Sequence, residues 1–391
     1  MERRVLVTGI WLAWAGCAAD TRDAPELATS QAVETSETAL DRDADGPALY
    51  TLSNDSTANR VLSYRRLANG GLLPSRSFAT GGEGSDSIVK LSQDALVFDP
   101  HLDRFFAVNA GDNTVSMLAV DHGGGLRSLS TAPSSGVRPV SITVHDDLVY
   151  VLNQGAEDGS PGGVNISGFQ VKDDRLVPIH GSTQPLSAAS GVAPTDLSFT
   201  PDGRFIVVAE TFTSKVDTFK MIRGVAQPGN FQPSAGPLPF SCAFNDDGFL
   251  LVSEIGNPDL TTFASSVSSY SISSNGTLTP ITVALPFHQN EACWLVPAGK
   301  FAYIANSTSG TITGIEVSRR GQISLLDADG ITARTGENAI DLALSPDHRY
   351  LYSLAMISNT ITSFAVGGNG HLTERAVLRN VPVGASGLVA R

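Results

Sequence analysis

Charge is scarce in this chain. Only 17% of its 391 residues are charged, and acids outnumber bases by 39 to 26, for a formal net charge of −13. No basic patch interleaved with aromatics is present, which excludes nucleic acid as a partner. Cysteine is equally sparse, with three in all, and no Cys–His spacing suggests zinc. Cys242 and Cys293 each precede a turn glycine by six residues, Gly248 and Gly299. They therefore read as one buried core position in successive repeats, not as a disulfide. The longest apolar run is residues 5–15, too short to span a bilayer as a helix.

That run sits behind Arg3 and Arg4 and ahead of Trp14-Ala15-Gly16-Cys17. The pattern reads as a signal peptide over 1–17, ending in a site that resembles a bacterial lipobox, with Cys17 lipidated. Cleavage after Ala15 without lipidation is the alternative. Residues 18–46 carry eight acids against Arg22 and Arg42 and show no apolar periodicity, so they read as a disordered acidic tether. The expectation is a monomeric, exported cell-envelope lipoprotein that meets the membrane only through its lipid. A secreted or periplasmic soluble protein is the alternative.

What the chain has in quantity is glycine (38) and proline (21), placed between short apolar stretches. The clearest unit is 195–221. A short strand at 197–199 meets a Pro201-Asp202-Gly203 turn, an apolar strand at 205–209 ends at Glu210, and an alternating segment follows at 215–219. The residue closing the second strand recurs as Asn54, Asn109, Asn153, Glu210, Glu254, Asn306 and Ala355. Successive spacings run from 44 to 57 residues, the period of a β-propeller blade. The predicted fold is therefore all-β, a seven-bladed propeller over 47–391. The first blade lacks an inner strand, and the apolar piece 386–391 is expected to supply it and close the ring.

Pro201-Asp202-Gly203-Arg204, the strand Phe301-Ala302-Tyr303-Ile304-Ala305-Asn306 and Asn359-Thr360-Ile361 resemble the seven-bladed lactonase family. That family includes bacterial 6-phosphogluconolactonases and fungal carboxymuconate cyclases. Residues 106–115 are also similar to surface-layer propellers with a Tyr-Val-Thr-Asn type of repeat. The resemblance implies a lactonase-like fold. It does not carry the usual catalytic set across. Where the family has Gly-Pro-Arg-His, this chain has Val192-Ala193-Pro194-Thr195-Asp196, and Glu210-Thr211 stand where it has Asn-Glu. Phe240-Ser241 and Glu291-Ala292 occupy slots of a family His pair. Only Arg138, in Gly136-Val137-Arg138-Pro139, is similar to the family arginine, at a displaced position.

The starts of inner strands and the ends of second strands should share one rim of the channel, because these strands are antiparallel neighbours. The first set is Asp94, Arg138, Asp196, Ser241, Glu291 and Asp341, with His288 just before; the second is the Asn/Glu series above. Four readings remain open. Asp196, Glu210 or Glu291 could act as general base on a lactone, with Arg138 or His288 on the oxyanion. Asp196 and Glu210 could hold Ca²⁺ or Mg²⁺. Glu254, Asp341, Asn109, Asn153 and Asn306 could bind a ligand, or all could simply cap strands. The leading reading is recognition of a small molecule or protein at this acidic rim. Hydrolysis of a lactone or sugar acid comes second, and a structural cell-surface role third.

Overall fold

The computed structural model describes residues 46–86, 93–121, 123–256 and 264–391. The expected signal peptide, Cys17 and almost all of the expected acidic tether lie outside the described residues. Among the described residues every regular element is a strand, and the strands form seven separate antiparallel sheets. Blade 4 shows the plan. Its inner strand Pro194–Phe199 pairs with Phe205–Glu210, which pairs with Lys215–Ile222, and the outer position is shared by Val225–Ala226 and Asn230–Pro233.

The second strand is buried on both faces in each blade, and its sequence says so. Phe205–Glu210 and Phe301–Asn306 are apolar at nearly every position, and every residue in them is buried. A strand between two neighbouring sheets has no polar side, so strict alternation disappears. Tyrosines on these strands pin one blade to the next: Tyr150 donates to the Gly224 carbonyl and Tyr303 to the Gly370 carbonyl, both at 2.8 Å. The turn at Pro201-Asp202-Gly203 works as its residues require. Asp202 accepts from the Thr200 hydroxyl at 2.8 Å and the Arg204 amide at 3.1 Å, and Gly203 takes φ +65°. A Cβ on Gly203 would lie 2.3 Å from the His145 ring.

Ring closure follows the expectation. The C-terminal strand Ser386–Ala390 pairs with Ala48–Leu52 and completes blade 1 as its inner strand. Ala48 and Arg391 exchange backbone hydrogen bonds at 3.0 and 2.8 Å. The chain thus enters the propeller at the end of blade 1 away from Asn54, on the face opposite the candidate rim.

One register differs from expectation. Cys242 pairs opposite Val252, two residues before Glu254, and the matching partner in blade 6 is Leu295 opposite Ile304. Cys293 therefore lies two residues before the position that Cys242 holds, inside a slip of the ladder between Ala292 and Leu295. Both thiols are free and buried.

Candidate functional site

The candidate rim is built by a device that the inner strands repeat. In blades 3 to 7 a left-handed residue precedes the strand: Arg138 (φ 55°), Ala193 (46°), Leu238 (55°), Glu291 (55°) and Asn338 (59°). Its carbonyl accepts the amide that follows the second-strand end, from Gln154, Thr211, Ile255, Ser307 and Met356, at 2.9–3.2 Å. The ladder then slips by one residue, a bulge that re-aims the following side chains. Arg138 and Glu291 thus occupy the left-handed position. Asp196, Ser241 and Asp341 come later, on the strand itself.

Asp196 and Asp341 project to the channel together with Asp94. Asp196 accepts the Cys242 amide at 2.8 Å, the Ser241 hydroxyl at 3.1 Å and the Ser141 hydroxyl at 3.3 Å, so it touches the inner strands of both flanking blades. Asp341 accepts the Leu342 amide at 2.8 Å. Burial, then the charge of Asp94, holds the carboxyls of Asp196 and Asp341 well above the usual carboxylate range. Asp94 keeps part of its surface exposed, and burial pushes it up to about 7. Among the described residues no cation stands beside these three carboxyls, and groups of like charge that feel one another disfavour ionising together. Beside Asp94, Gln93 crosses the channel, from blade 2 to Leu295 of blade 6.

The second-strand ends form a different layer. Asn109, Asn153, Glu210, Glu254 and Asn306 are all fully buried. Asn109 donates to Thr114 and Ser116 at 3.0 and 2.8 Å and accepts from Asn59 and Thr80 at 3.1 and 2.8 Å. Asn306 donates to Thr311 and Thr313 at 3.0 and 2.8 Å, and Asn153 to the Ser134 carbonyl at 3.1 Å. Glu254 accepts the Gly236 amide at 2.9 Å and the hydroxyls of Ser266 and Ser268, and burial raises its carboxyl above the usual range. These side chains tie third strand to second strand and to the incoming loop. Gly82, Gly136 and Gly236 of those loops pack directly on Asn109, Asn153 and Glu254, where a Cβ would stand 2.2–2.5 Å from the side chain.

Blade 4 departs from that pattern by carrying two acids. Glu210 accepts the Ser187 amide at 2.8 Å and the hydroxyls of Ser187 and Thr213. Asp217 stands where other blades have Ser116, Ser167, Ser268 or Thr313. Burial, and then the adjoining Glu210 carboxyl, push Asp217 up to about 10. Asp196 pairs opposite Ala209, so Glu210 projects from the other face of that strand. Asp196 and Glu210 share no hydrogen-bond partner, and among the described residues no three His, Cys, Asp or Glu side chains are grouped to hold a metal ion.

The remaining candidates sit further out. Glu291 is buried, accepts the Thr308 hydroxyl and is raised by burial above the usual carboxylate range. His288 is exposed, with a left-handed backbone, in the loop entering blade 6. Arg138 is half-buried. Its Nη2 donates to Gln154 at 2.7 Å, while Nε and Nη1 are buried and have no partner. Burial lowers its pKa, the adjacent Glu157 opposing that shift.

Comparison with known proteins fixes the lineage. The family model described as lactonase, seven-bladed β-propeller, matches residues 92–382. The chain belongs to that family. A 6-phosphogluconolactonase from Yersinia pestis (strain Pestoides F) is 24% identical over 299 residues, covering 69% of this chain and 80% of the relative. The solved structure of a periplasmic gluconolactonase from Pseudomonas aeruginosa has a TM-score of 0.69 at 18% identity, covering 88% of this chain and 99% of that one. A virginiamycin B lyase from Staphylococcus aureus shares the fold too, with a TM-score of 0.53 at 13% identity over 76% of this chain and 88% of that one. A propeller of this type thus also appears in a protein named for a different reaction, and the chemistry must be read from the site.

Proposed function

We propose that this lactonase-family propeller is an exported hydrolase that opens the ring of a sugar-acid lactone, with Asp94 as general base. One observation carries the reading: a buried channel carboxyl, on a residue that keeps part of its surface exposed, is pushed up to about 7 by burial, with two further acids raised well above the usual carboxylate range near it. A carboxyl raised toward neutrality is basic enough to take a proton from water. The water oxygen forms a bond to the lactone carbonyl carbon while its proton passes to Asp94. The ring C–O bond then breaks, and the proton returns from Asp94 to the departing ring oxygen. The product is the open hydroxy acid. Burial holds Asp196 and Asp341 well above the usual carboxylate range, which leaves Asp94 the most readily ionised of the three and the proton acceptor.

Membership of the lactonase family supports lactone hydrolysis at that level. Support for an unphosphorylated substrate comes from the net charge of −13, which disfavours an added phosphate dianion. The likeness to a protein named as a periplasmic gluconolactonase agrees with this, and so does the signal-like start of the chain. Glucono-δ-lactone is therefore the first substrate to test. Its enzymatic hydrolysis should rise with pH and level off above an apparent pKa near 7, and Asp94→Asn should lower kcat at least about 100-fold. Full activity in Asp94→Asn would exclude this base. Failure of the wild type to exceed background on a panel of aldonolactones would leave recognition without turnover. That second reading is favoured by Val192-Ala193-Pro194-Thr195 standing where the family carries its Arg-His run.

A further inference from the structure

Arg138 is an anomalous cation, with two guanidinium nitrogens buried and unpaired. A guanidinium offers five N–H donors and cannot shed its charge at ordinary pH. Here Nη2 reaches Gln154, yet Nε and Nη1 are shielded from solvent without any acceptor. Burying a charge in this state is costly, and native structures do so at functional positions. Glu157 feels the charge but makes no ion pair with it, since Nε and Nη1 have no partner and Nη2 is engaged by Gln154.

The surroundings are organised to hold the arginine in place. Its amide donates to Asn113 at 2.7 Å, its carbonyl accepts from Gln154, and Gln154 in turn donates to the Pro194 carbonyl of the next blade at 3.0 Å. The segment 155–163 folds back over this point. Gly155 donates to the Val137 carbonyl at 2.9 Å, and Val137 donates to Gly163 at 3.1 Å, so both ends of the loop are pinned one residue before Arg138. Within those pins, Gly159 donates to Ala156 and Ser160 to Asp158, bonds internal to the loop, 157–158 and 160–162 are exposed, and one outward bond, from Gly162 to the Ala189 carbonyl at 3.0 Å, must break for the middle to move. Between the pins, Gly159 and Gly162 take positive φ, and glycine there leaves the backbone free of a Cβ penalty when the middle rearranges.

We infer that Arg138 is an anion-binding site under the 155–163 loop, taking the carboxylate of a sugar acid or a group of like charge and size. The incoming anion supplies the acceptors that Nε and Nη1 lack, and the loop's middle moves aside to admit it. Glu157 is the resident opposing charge that the anion must outcompete. This site is independent of Asp94, because it concerns binding and not turnover.

Thermal melting and calorimetric titration test it with sodium gluconate, sodium phosphate and neutral glucose on the full-length protein. Gluconate or phosphate should raise Tm, while glucose should not; a response to gluconate alone assigns a carboxylate, and to phosphate alone a phosphate. Arg138→Met keeps the length of the side chain without the charge. It should weaken anion binding by about 10- to 100-fold. It should also raise the Tm of the ligand-free protein, since an unpaired buried charge is removed. Glu157→Gln should tighten binding severalfold. A purely structural arginine gives the reverse, with Arg138→Met lowering the ligand-free Tm. That result, an anion response that survives in Arg138→Met, or no anion response in the wild type would each overturn the site.

Discussion

Gln93 of blade 2 grips Leu295 of blade 6 across the central channel. Its Nε2 donates to the Leu295 carbonyl and its Oε1 accepts the Leu295 amide, both at 2.9 Å. The same Oε1 accepts the Ser241 hydroxyl of blade 5 at 2.7 Å, and the Gln93 amide donates to Thr195 of blade 4 at 3.1 Å. One residue therefore ties four blades together at the depth of the channel aspartates. In a ring where each blade otherwise touches its two neighbours, such a spoke resists opening at any single interface.

Gln93→Ala removes the three side-chain bonds and leaves the Leu295 amide and carbonyl without these partners. The expected cost is about 2–4 kcal/mol, because buried groups lose hydrogen bonds that nothing replaces. Urea unfolding checks this: the midpoint should fall with an unchanged slope. An unaltered midpoint would mean that water takes over both groups and the spoke is dispensable.

Removing residues 386–391 tests the closure. The strand Ser386–Ala390 pairs with Ala48–Leu52, and Leu388 is buried in the core. Without it the edge of Ala48–Leu52 is exposed and blade 1 no longer meets blade 2 through an inner strand. The truncated protein should melt well below the full chain and aggregate on heating, as scattering during a thermal ramp would show. A coincident melting curve would require the ring to close elsewhere.

The repeat and its ring closure were legible because second strands are read locally: apolar runs such as Phe205–Glu210 end at a polar residue and a turn follows. The asparagines that served as the ruler are buried ties between strands, and their regular spacing reflects that packing. Arg138 stood out in the sequence, though its missing partners did not. Gln93 carried no signal, since its contact with Leu295 depends on which blades face each other across the ring. Asp94, Asp196 and Asp341 could be placed at strand starts. Their mutual influence depends on the bulge, which shifts Asp196 and Asp341 along the ladder relative to Arg138 and Glu291. Cys293 was misaligned with Cys242 for the same reason: counting from a turn glycine cannot see a slip of register. The acid pair in blade 4 hid in plain view, because Asp217 reads as an ordinary polar residue of an alternating strand.

That pair gives the sharpest test of the electrostatics. Neither Asp217 oxygen accepts a hydrogen bond, although the side chain is fully buried. A proton on Asp217 removes the repulsion between the two carboxylates and lets its O–H donate to Glu210. The folded value of about 10 lies far above the value near 3.9 of an unfolded aspartate. The native state thus holds a proton between these limits that the unfolded state releases. Its stabilising contribution is complete below about pH 4 and is lost as pH rises toward 10, by about 1.4 kcal/mol per unit at most. Asp217→Asn places a permanent N–H donor against Glu210 and has no proton to lose. It should match the wild type near pH 4 and exceed it in Tm by a margin that widens up to pH 9. Glu210→Gln should behave differently. It sacrifices one of two acceptor oxygens that serve Ser187 and Thr213, so it should destabilise at every pH in that range. Parallel Tm profiles for wild type and Asp217→Asn across pH 4–9 would show that Asp217 ionises freely in the fold, and would remove the shared proton from blade 4.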